Sequence, residues 1–302
     1  MSANVADTIL LGGRSERLAG ADRSRWAAAA RLARRNPTAA AGLGVLLLLL
    51  ALALLAPLVA PYQPNALNPV VRLQKPSAAH LFGTDSIGQD VLSRAIYGAR
   101  VSLSVGFTVS AISALLGTLI GACAGFFRAV DLVLMRIMDG LMAFPGLLLA
   151  LALIAIVGPH LWAVILVLGA VQTPGTARLM RASVLSLREN LYVEAARAIG
   201  VNERRMIWRY ILPNALAPLL VQATFSFASA VLSEAALSFL GTGIPPTTPS
   251  WGNIIGQGRA VIQQAPWLSI YPGLLIVMTV LAMSVLGDGL RDTLDPTLSR
   301  QM

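Results

Sequence analysis

Apolar stretches alternate with polar segments along the whole chain of 302 residues. A helix that crosses a bilayer needs about 20 mostly apolar residues, and five stretches reach or approach that length. The stretch 140–177 has no Asp, Glu, Lys or Arg and is too long for one span, and Gly158, Pro159 and His160 break it near its middle. This stretch therefore predicts two spans. The apolar stretches are 38–60, 101–127, 140–177, 215–231 and 268–286.

This pattern predicts an all-α polytopic membrane protein with six transmembrane helices. Residues 1–37 are predicted to be a basic N-terminal segment, with a helix at the membrane surface over 23–35. A signal peptide is the alternative for the first apolar stretch, but this stretch is longer than the core of a signal peptide, which has about 7–15 residues. The other predicted units are the first span 38–60, an extracytoplasmic segment 61–100, a five-helix core 101–290 and a tail 291–302.

The core contains smaller predicted features. Charged residues within 128–139 predict a short exposed helix between two spans. The segment 240–264 is rich in Gly and Pro, so it is not one continuous helix, although 254–263 fits a short one. Glycines in the second span are available for close helix packing. These glycines are Gly106, Gly117, Gly121 and Gly125.

The composition supports a membrane protein. Hydrophobic residues make up 56% and charged residues 12% of the chain, whereas soluble domains carry about 25% charged residues. The formal net charge of +9 also fits a nucleic-acid-binding protein, but the cations lie between apolar spans and few aromatic residues accompany them. Most of the 23 Lys and Arg residues fall on one side if the amino terminus is inside. The positive-inside tendency then predicts that both termini are cytoplasmic.

A charged segment separates the fourth and fifth predicted spans. Residues 190–199 are mostly helix formers, and Ala195, Ala196 and Ala198 leave one surface of this helix nearly bare. Gly200 can adopt the left-handed conformation that ends a helix, and Asn202 can cap the next one. The sequence predicts two short helices bent at Gly200.

Four motifs follow one another in a recognisable order. The chain resembles the second permease subunit of the dipeptide, oligopeptide and nickel importers, which are binding-protein-dependent ABC transporters. It departs from the expected pattern at Gln89, where the family is expected to have Arg. The motifs are Leu81 to Asp90 with Ser93-Arg94; Glu194-Ala195-Ala196 with Gly200 and Ile211-Leu212-Pro213, which looks like the EAA loop; Pro249-Ser250-Trp251-Gly252; and Gly287 to Asp292 with Asp295-Pro296.

The resemblance implies a type I ABC importer permease fold in the bacterial inner membrane. It implies that the chain forms half of the pathway, together with a homologous second permease subunit, two ATP-binding subunits and an extracytoplasmic binding protein. Peptides are favoured over nickel as substrate, because residues 245–253 and the Gly-Asp-Gly-Leu-Arg-Asp ending look most like the peptide importers. ATP and Mg²⁺ are expected in the partner subunits, and no cofactor is expected in this chain.

The EAA loop, 183–213, is predicted to couple the permease to its ATPase. The hypothesis is that the helix from Glu194 to Gly200 sits in a groove on the ATPase and moves with it. Glu194 and Arg197 are three residues apart, so they could pair with each other or with the ATPase. The alternative is an ordinary amphipathic loop that contacts no partner. The predicted coupling residues are Tyr192, Glu194, Ala195, Ala196, Arg197, Gly200, Arg204 and Arg205.

The sequence has no motif for catalysis or metal binding. A phosphate-binding P-loop needs a Lys after glycines, whereas the only Lys, Lys75, lies between Gln74 and Pro76. His80 and His160 have no ligand partner at zinc spacing. The chain is therefore predicted not to be an enzyme and to hold no metal.

An ion-gradient-driven carrier and a non-transporting scaffold are the alternative classes. Carriers tend to place carboxylates deep in the membrane, whereas Asp139, Glu234 and Asp288 are predicted at the ends of spans. A purely structural interpretation gives these acids an interfacial or capping role. The functional interpretation makes Glu234 and Asp288 pathway or gate residues.

Two further groups have competing interpretations. Residues 83–90 fit a structural turn capped by Asp85, with glycines at positive φ, as well as they fit a contact with substrate or partner. Gly287, Asp288 and Gly289 fit a helix end with a capping Asp. Trp251, Trp267 and Tyr271 are predicted to be interfacial aromatic anchors at the outer boundary, rather than residues that stack on substrate.

Overall fold

The computed structural model describes residues 36–294, and the regular secondary structure of these residues is helical. The predicted surface helix over 23–35 and the end of the predicted tail lie outside the described residues. The helices are α1 (Pro37–Leu54), α2 (Ala56–Val59), α3 (Val91–Phe126), α4 (Arg128–Met142), α5 (Gly146–Val157), α6 (Leu161–Arg188), α7 (Leu191–Ala198), α8 (Glu203–Met206), α9 (Leu212–Phe239), α10 (Trp251–Gly258) and α11 (Trp267–Leu294). A π-helical turn, Ile207–Ile211, joins α8 to α9.

Five helical segments of the described chain are long and apolar enough to cross a membrane. They are α1, α3, α6, the continuous stretch from α8 to α9, and α11. The remaining predicted span, the third in chain order, is a bent pair: α4 and α5 meet at 90°, and only together are they long and apolar enough to cross a membrane. Six spans are thus confirmed when the bent pair counts as one.

The third predicted span differs from expectation because α5 is short. Its 12 residues extend about 18 Å, which is less than the apolar thickness of a bilayer. The predicted short exposed helix is present as α4, Arg128–Met142, in which only Met138 is buried, and it counts toward a span only when it is taken together with α5. The predicted break after it is confirmed, since Gly158 has a φ of +99° and α6 begins at Leu161.

Several helices extend beyond their apolar stretches. The helix α3 begins at Val91 rather than at residue 101, because the side chain of Asp90 caps it by accepting a hydrogen bond from Ser93 N at 2.8 Å. The last ten residues of the predicted extracytoplasmic segment are therefore helical. Likewise α9 continues past Glu234 to Phe239, and α11 continues past Gly289 to Leu294.

The helices α3 and α6 pack closely against each other at glycines of the second predicted span. A Cβ atom on Gly121 would lie 2.7 Å from Cβ of Met180, and one on Gly125 would lie 2.7 Å from Cβ of Val184. Contacts this short do not occur between real side chains, so only glycine permits the two helices to approach so closely. The prediction of close helix packing at these glycines is confirmed.

One end of the helical bundle is covered by two loops that pack together, residues 61–90 and 240–266, which we call the loop cap. Trp267 at the start of α11 donates a hydrogen bond from Nε1 to the carbonyl oxygen of Thr84 at 3.1 Å. Asn65 Nδ2 donates to the carbonyl oxygen of Thr247 at 3.0 Å. The charged segment with α7 and α8 lies at the opposite end, where α3 and α6 terminate and α9 begins.

Candidate functional site

The charged segment has the geometry that its sequence predicts. The helix α7 ends at Ala198, and Gly200 has a φ of +78°. The side chain of Asn202 accepts a hydrogen bond from Arg204 N at 3.1 Å and so caps α8. Two short helices bent at Gly200 are therefore confirmed. We call residues 190–206 the coupling segment.

The coupling segment is anchored to two long helices by its apolar face. Val193 and Ala196 of α7 and Met206 of α8 are buried. They share a hydrophobic cluster with Met180 of α6 and Ala215 of α9. A displacement of the coupling segment therefore acts on α6 and α9 together, because close-packed interiors transmit strain.

The opposite face of α7 is open and unusually apolar for a loop. Leu191 and Ile199 are 82% and 79% exposed. Exposed apolar side chains that are framed by charges are typical of a surface that another protein covers. The other predicted coupling residues on this side, all exposed, are Tyr192, Glu194, Ala195, Arg197, Gly200, Arg204 and Arg205.

One expectation for this segment needs correction, and one of two open alternatives is not realised. Ala196 does not form part of the open face, because it is only 4% exposed and packs against the chain's own core. Glu194 and Arg197 form no ion pair with each other in the described part of the chain. Both charges instead point outward, where they are available to a partner.

The sequence did not single out the residues that brace α6, the helix leading into the coupling segment. Arg188 donates a hydrogen bond to the carbonyl oxygen of Gly125 at 2.8 Å, and its guanidinium lies 5.3 Å from the ring centre of Phe126. Arg181 Nη2 donates to Asp131 Oδ2 of α4 at 2.7 Å. Only the meeting of α3, α4 and α6 reveals these roles, because 50 or more residues separate the partners in sequence.

Glu234 is completely buried and lies inside a helix, not at its end. Its Oε1 accepts a hydrogen bond from Ser238 Oγ at 2.8 Å, and its Oε2 accepts one from Ser102 Oγ of α3 at 3.1 Å. Ser102 Oγ in turn accepts a hydrogen bond from Trp251 N at the start of α10. The expected interfacial or capping role is therefore wrong for Glu234, which links α9, α3 and α10.

Asp288 is exposed on α11 and does not cap it, because the helix continues for six more residues. The glycines on either side of Asp288 serve packing instead. A Cβ on Gly287 would clash with Thr224 of α9, and one on Gly289 would clash with Ala39 of α1. The predicted helix end is wrong, because α11 continues to Leu294. The two glycines instead permit close contact with α9 and α1.

The turn 83–90 has a structural explanation. Gly83 and Gly88 have positive φ values of +73° and +79°. Asp85 Oδ1 accepts hydrogen bonds from Ile87 N and Gln89 N, at 2.9 and 2.8 Å, while its Oδ2 lies 2.7 Å from Arg94 Nη1. The side chain of Gln89, at the position of the family departure, is buried and accepts a hydrogen bond from Arg94.

The aromatic residues predicted to be interfacial anchors are internal contacts instead. Trp251 is completely buried and donates from Nε1 to the carbonyl oxygen of Ala95 at 2.9 Å. Trp267 is also buried, and Tyr271 stacks on Phe82 with ring centres 4.1 Å apart. These side chains attach the loop cap to the helices. Within residues 36–294, no three His, Cys, Asp or Glu residues are grouped so that they could hold a metal ion.

Comparison with family models identifies this architecture. Residues 113–300 match the model described as "Binding-protein-dependent transport system inner membrane component". Residues 24–76 match the model of the "N-terminal TM domain of oligopeptide transport permease C". The first match includes the coupling segment and Glu234, and together the two matches cover most of the chain.

Sequence relatives and solved structures agree with this assignment. The chain is 50% identical to a putative peptide transport system permease protein of Brucella abortus over 86% of this chain and 88% of that protein. It is 43% identical to the dipeptide transport system permease protein DppC of Alkalihalophilus pseudofirmus, over 91% of each.

The fold resembles a chain of the inward-facing MetNI methionine ABC transporter, with a TM-score of 0.53 and 20% identity over 68% of this chain and 96% of that one. Its architecture is that of a type I ABC importer permease. The chain therefore belongs to the family of binding-protein-dependent transport system inner membrane components.

Proposed function

We propose that this chain is a permease subunit of an ATP-driven importer and forms half of the pathway for di- and oligopeptides. The peptide substrate is supported by the relatives, which are named as peptide and dipeptide permeases at 43–50% identity. An extracytoplasmic binding protein delivers the peptide, and a homologous second permease subunit supplies the other half of the pathway.

The single observation that carries the proposal is the two-sided construction of the coupling segment. One face of α7 is buried against α6 and α9, while Leu191 and Ile199 on the other face are open. In the proposed complex this open face lies in a groove of a cytoplasmic ATPase subunit. Closure of the ATPase dimer moves α7 as a rigid body, and α6 and α9 then change which side of the pathway is open.

The proposed orientation places the coupling segment and both termini in the cytoplasm, so that the loop cap faces the outside. Two ATPase subunits bind ATP and Mg²⁺, and this chain itself is non-catalytic. It contributes the coupling segment and half of the pathway, whereas the ATPase subunits hydrolyse ATP. Ligand and ATP act on the same equilibrium because each has a different affinity for the two states of the pathway.

The test removes the apolar contact without disturbing the buried face. Ile199→Asp in the assembled transporter should lower the amount of ATPase that co-purifies with the permease by at least about tenfold, because a charge enters a desolvated contact. Ala129→Asp in the first turn of α4 is the matched control, since Ala129 is also exposed and lies at the same end of the bundle. Undiminished ATPase retention in Ile199→Asp would overturn the proposed coupling.

Transport energetics test the class of transporter separately. Uptake of a labelled dipeptide should stop when ATP is depleted and should continue when an uncoupler collapses the ion gradient. The opposite result would identify a gradient-driven carrier. Competition by unlabelled dipeptides but not by Ni²⁺ is expected, and competition by Ni²⁺ alone would identify a nickel importer.

A further inference from the structure

A small cavity lies where the end of α9 meets the loop cap. It has a volume of about 170 Å³ and is bounded by the last turn of α9, the turn that includes Gly241, and α10. Holding one water takes about 10–15 Å³, and sites for drug-sized molecules have about 300–1,000 Å³. The cavity therefore has room for one amino-acid residue and is too small for a whole oligopeptide.

The helix α10 and the turn after it supply three polar side chains to this cavity, Asn253, Gln257 and Arg259. Nδ2 of Asn253 donates to three backbone carbonyl oxygens of the loop cap at 3.0–3.2 Å, so its Oδ1 remains as an acceptor. Gln257 is half-buried and offers both a donor and an acceptor. The hydroxyl group of Ser238, which also lines the cavity, already donates to Glu234.

Arg259 supplies the only charge among the residues that line the cavity. Its side chain is exposed and forms no ion pair in the described part of the chain. Its guanidinium lies 5.6 Å from the ring centre of Phe239, the last residue of α9, and this contact restricts its position. A guanidinium held in this way is prepared to bind a carboxylate through two parallel hydrogen bonds.

The cavity lies at the end of an open face of α9. Phe225, Leu232 and Phe239 are spaced by seven residues, so they share one face of the helix, and all three are exposed. In the proposed function α9 is one of the two helices that change which side of the pathway is open. The open face of such a helix borders the pathway, and the cavity then lies at its outer mouth.

We infer that this cavity binds the C-terminal residue of the peptide substrate as it enters the pathway. The α-carboxylate binds the guanidinium of Arg259, and the N–H of the last peptide bond donates to Oδ1 of Asn253. Gln257 accepts or donates according to the side chain that it meets. The inference rests on the proposed function, which supplies the substrate class and places the loop cap outside.

This arrangement recognises groups that all linear peptides share. A carboxylate and the adjacent peptide N–H are present whatever the side chains, so the cavity suits a pathway that must accept many sequences. Nickel ions and other small cations have neither group, and a guanidinium repels them.

The experiment measures peptide binding by the complete transporter, with both permease and ATPase subunits, in nanodiscs without the binding protein. Saturation-transfer NMR titrates alanyl-phenylalanine and the same dipeptide with an amidated carboxyl end. Arg259→Gln should weaken binding of the free dipeptide at least about tenfold, because a charge-assisted pair is lost. The amidated dipeptide should bind both forms equally weakly, since it lacks the carboxylate that Arg259 binds.

Gln257→Glu gives a second variant that keeps Arg259 in place. The new carboxylate should weaken the free dipeptide about threefold or more through repulsion and leave the amidated one unchanged. Arg72→Gln is the matched control, because Arg72 is an exposed cation of the loop cap that does not line the cavity. Its affinity for both dipeptides should equal that of the unmodified transporter.

A merely structural role of Arg259 gives a different result. Arg259 lies beside the end of α9, where a cation stabilises the unpaired carbonyl groups of a helix. If that is its whole role, Arg259→Gln lowers the melting temperature and affects the free and amidated dipeptides alike, and the inference is wrong. It is also wrong if the unmodified transporter gives no signal with the free dipeptide up to about 10 mM, a very weak affinity.

Uptake by the unmodified transporter separates this inference from the proposed function. If dipeptide uptake depends on ATP but binding does not distinguish the carboxylate from the amide, only the inference about the cavity fails. If uptake persists without ATP, or no ATPase associates with the chain, the proposed function fails.

Discussion

The guanidinium of Arg94 lies 2.7 Å from the carboxylate of Asp85, and both side chains are almost completely buried. The other oxygen of Asp85 accepts two backbone hydrogen bonds, from Ile87 and Gln89. The ion pair therefore attaches the turn of the loop cap to the first turns of α3. Breaking a buried pair is costly because the remaining charge has no partner and no water.

Replacing Arg94 by Met should destabilise the protein by about 3–5 kcal/mol, because it leaves Asp85 as an uncompensated buried charge. Thermal unfolding of the detergent-purified chain, with size-exclusion chromatography as the readout, measures this effect. Arg100→Met is the matched control on the same helix, since Arg100 is exposed and forms no ion pair in the described chain. Equal melting temperatures for the two variants would contradict a stabilising role for the pair.

Glu234 should tolerate Gln but not Leu. Glutamine keeps an acceptor oxygen for Ser102 or Ser238, whereas leucine leaves both hydroxyl groups without their buried partner. Each unsatisfied buried group costs about 1–3 kcal/mol, which corresponds to a fall of about 2–10 °C in the melting temperature.

Thermal denaturation in detergent compares Glu234→Gln with Glu234→Leu, and Asp288→Leu serves as the exposed control. Peptide uptake by Glu234→Gln distinguishes anchoring from a pathway role. Near-normal uptake is expected if Glu234 anchors α10. Loss of uptake with normal stability would instead identify Glu234 as a gate residue.

Gly200 should accept Asn better than Val. A Cβ atom there would contact nothing within 4 Å, so only the positive φ of +78° opposes a side chain. The left-handed conformation costs about 1–2 kcal/mol for most residues, and Asn adopts it more readily. Gly200→Val should therefore reduce ATPase co-purification about fivefold, because the angle between α7 and α8 changes, while Gly200→Asn stays within about twofold. Equal retention in both variants would show that the bend does not set the docking geometry.

Adding a single methyl group to Gly121 should disrupt the contact between α3 and α6. The new Cβ would clash with the carbonyl oxygen of Ala177 and lie 2.7 Å from Cβ of Met180. Such overpacking costs about 1–3 kcal/mol or more. Gly175→Ala on α6 is the control, since a Cβ there meets nothing within 4 Å. The melting temperature should fall for Gly121→Ala and stay constant or rise for Gly175→Ala; the reverse order would contradict the packing.

The bend of the coupling segment was predictable because its causes are local. A glycine that can adopt positive φ and an Asn that can accept a hydrogen bond two residues later act within one turn of chain. The orientation of the alanines was not predictable in the same way. Ala195 and Ala196 are chemically identical, and only the approach of α6 and α9 buries the second while leaving the first exposed.

Three incorrect expectations share one cause. Glu234 and Asp288 follow apolar stretches, and Trp251 belongs to a polar loop, so in sequence each has the pattern of a residue at a membrane boundary. In the structure Glu234 and Trp251 are buried by neighbours more than 100 residues away, Ser102 and Ala95. Asp288 lies within a helix whose flanking glycines are packed against α9 and α1.

The sequence by itself determined that the chain is a membrane protein, how many spans it has, where the coupling segment bends and which family its motifs match. These properties depend on the length of apolar stretches and on turn-forming residues, which act along the chain. The tertiary structure alone decided which face of α7 is free, that Glu234 joins three helices, and that Trp251 attaches the loop cap to α3. Burial and charge pairing depend on distant residues that only folding brings together.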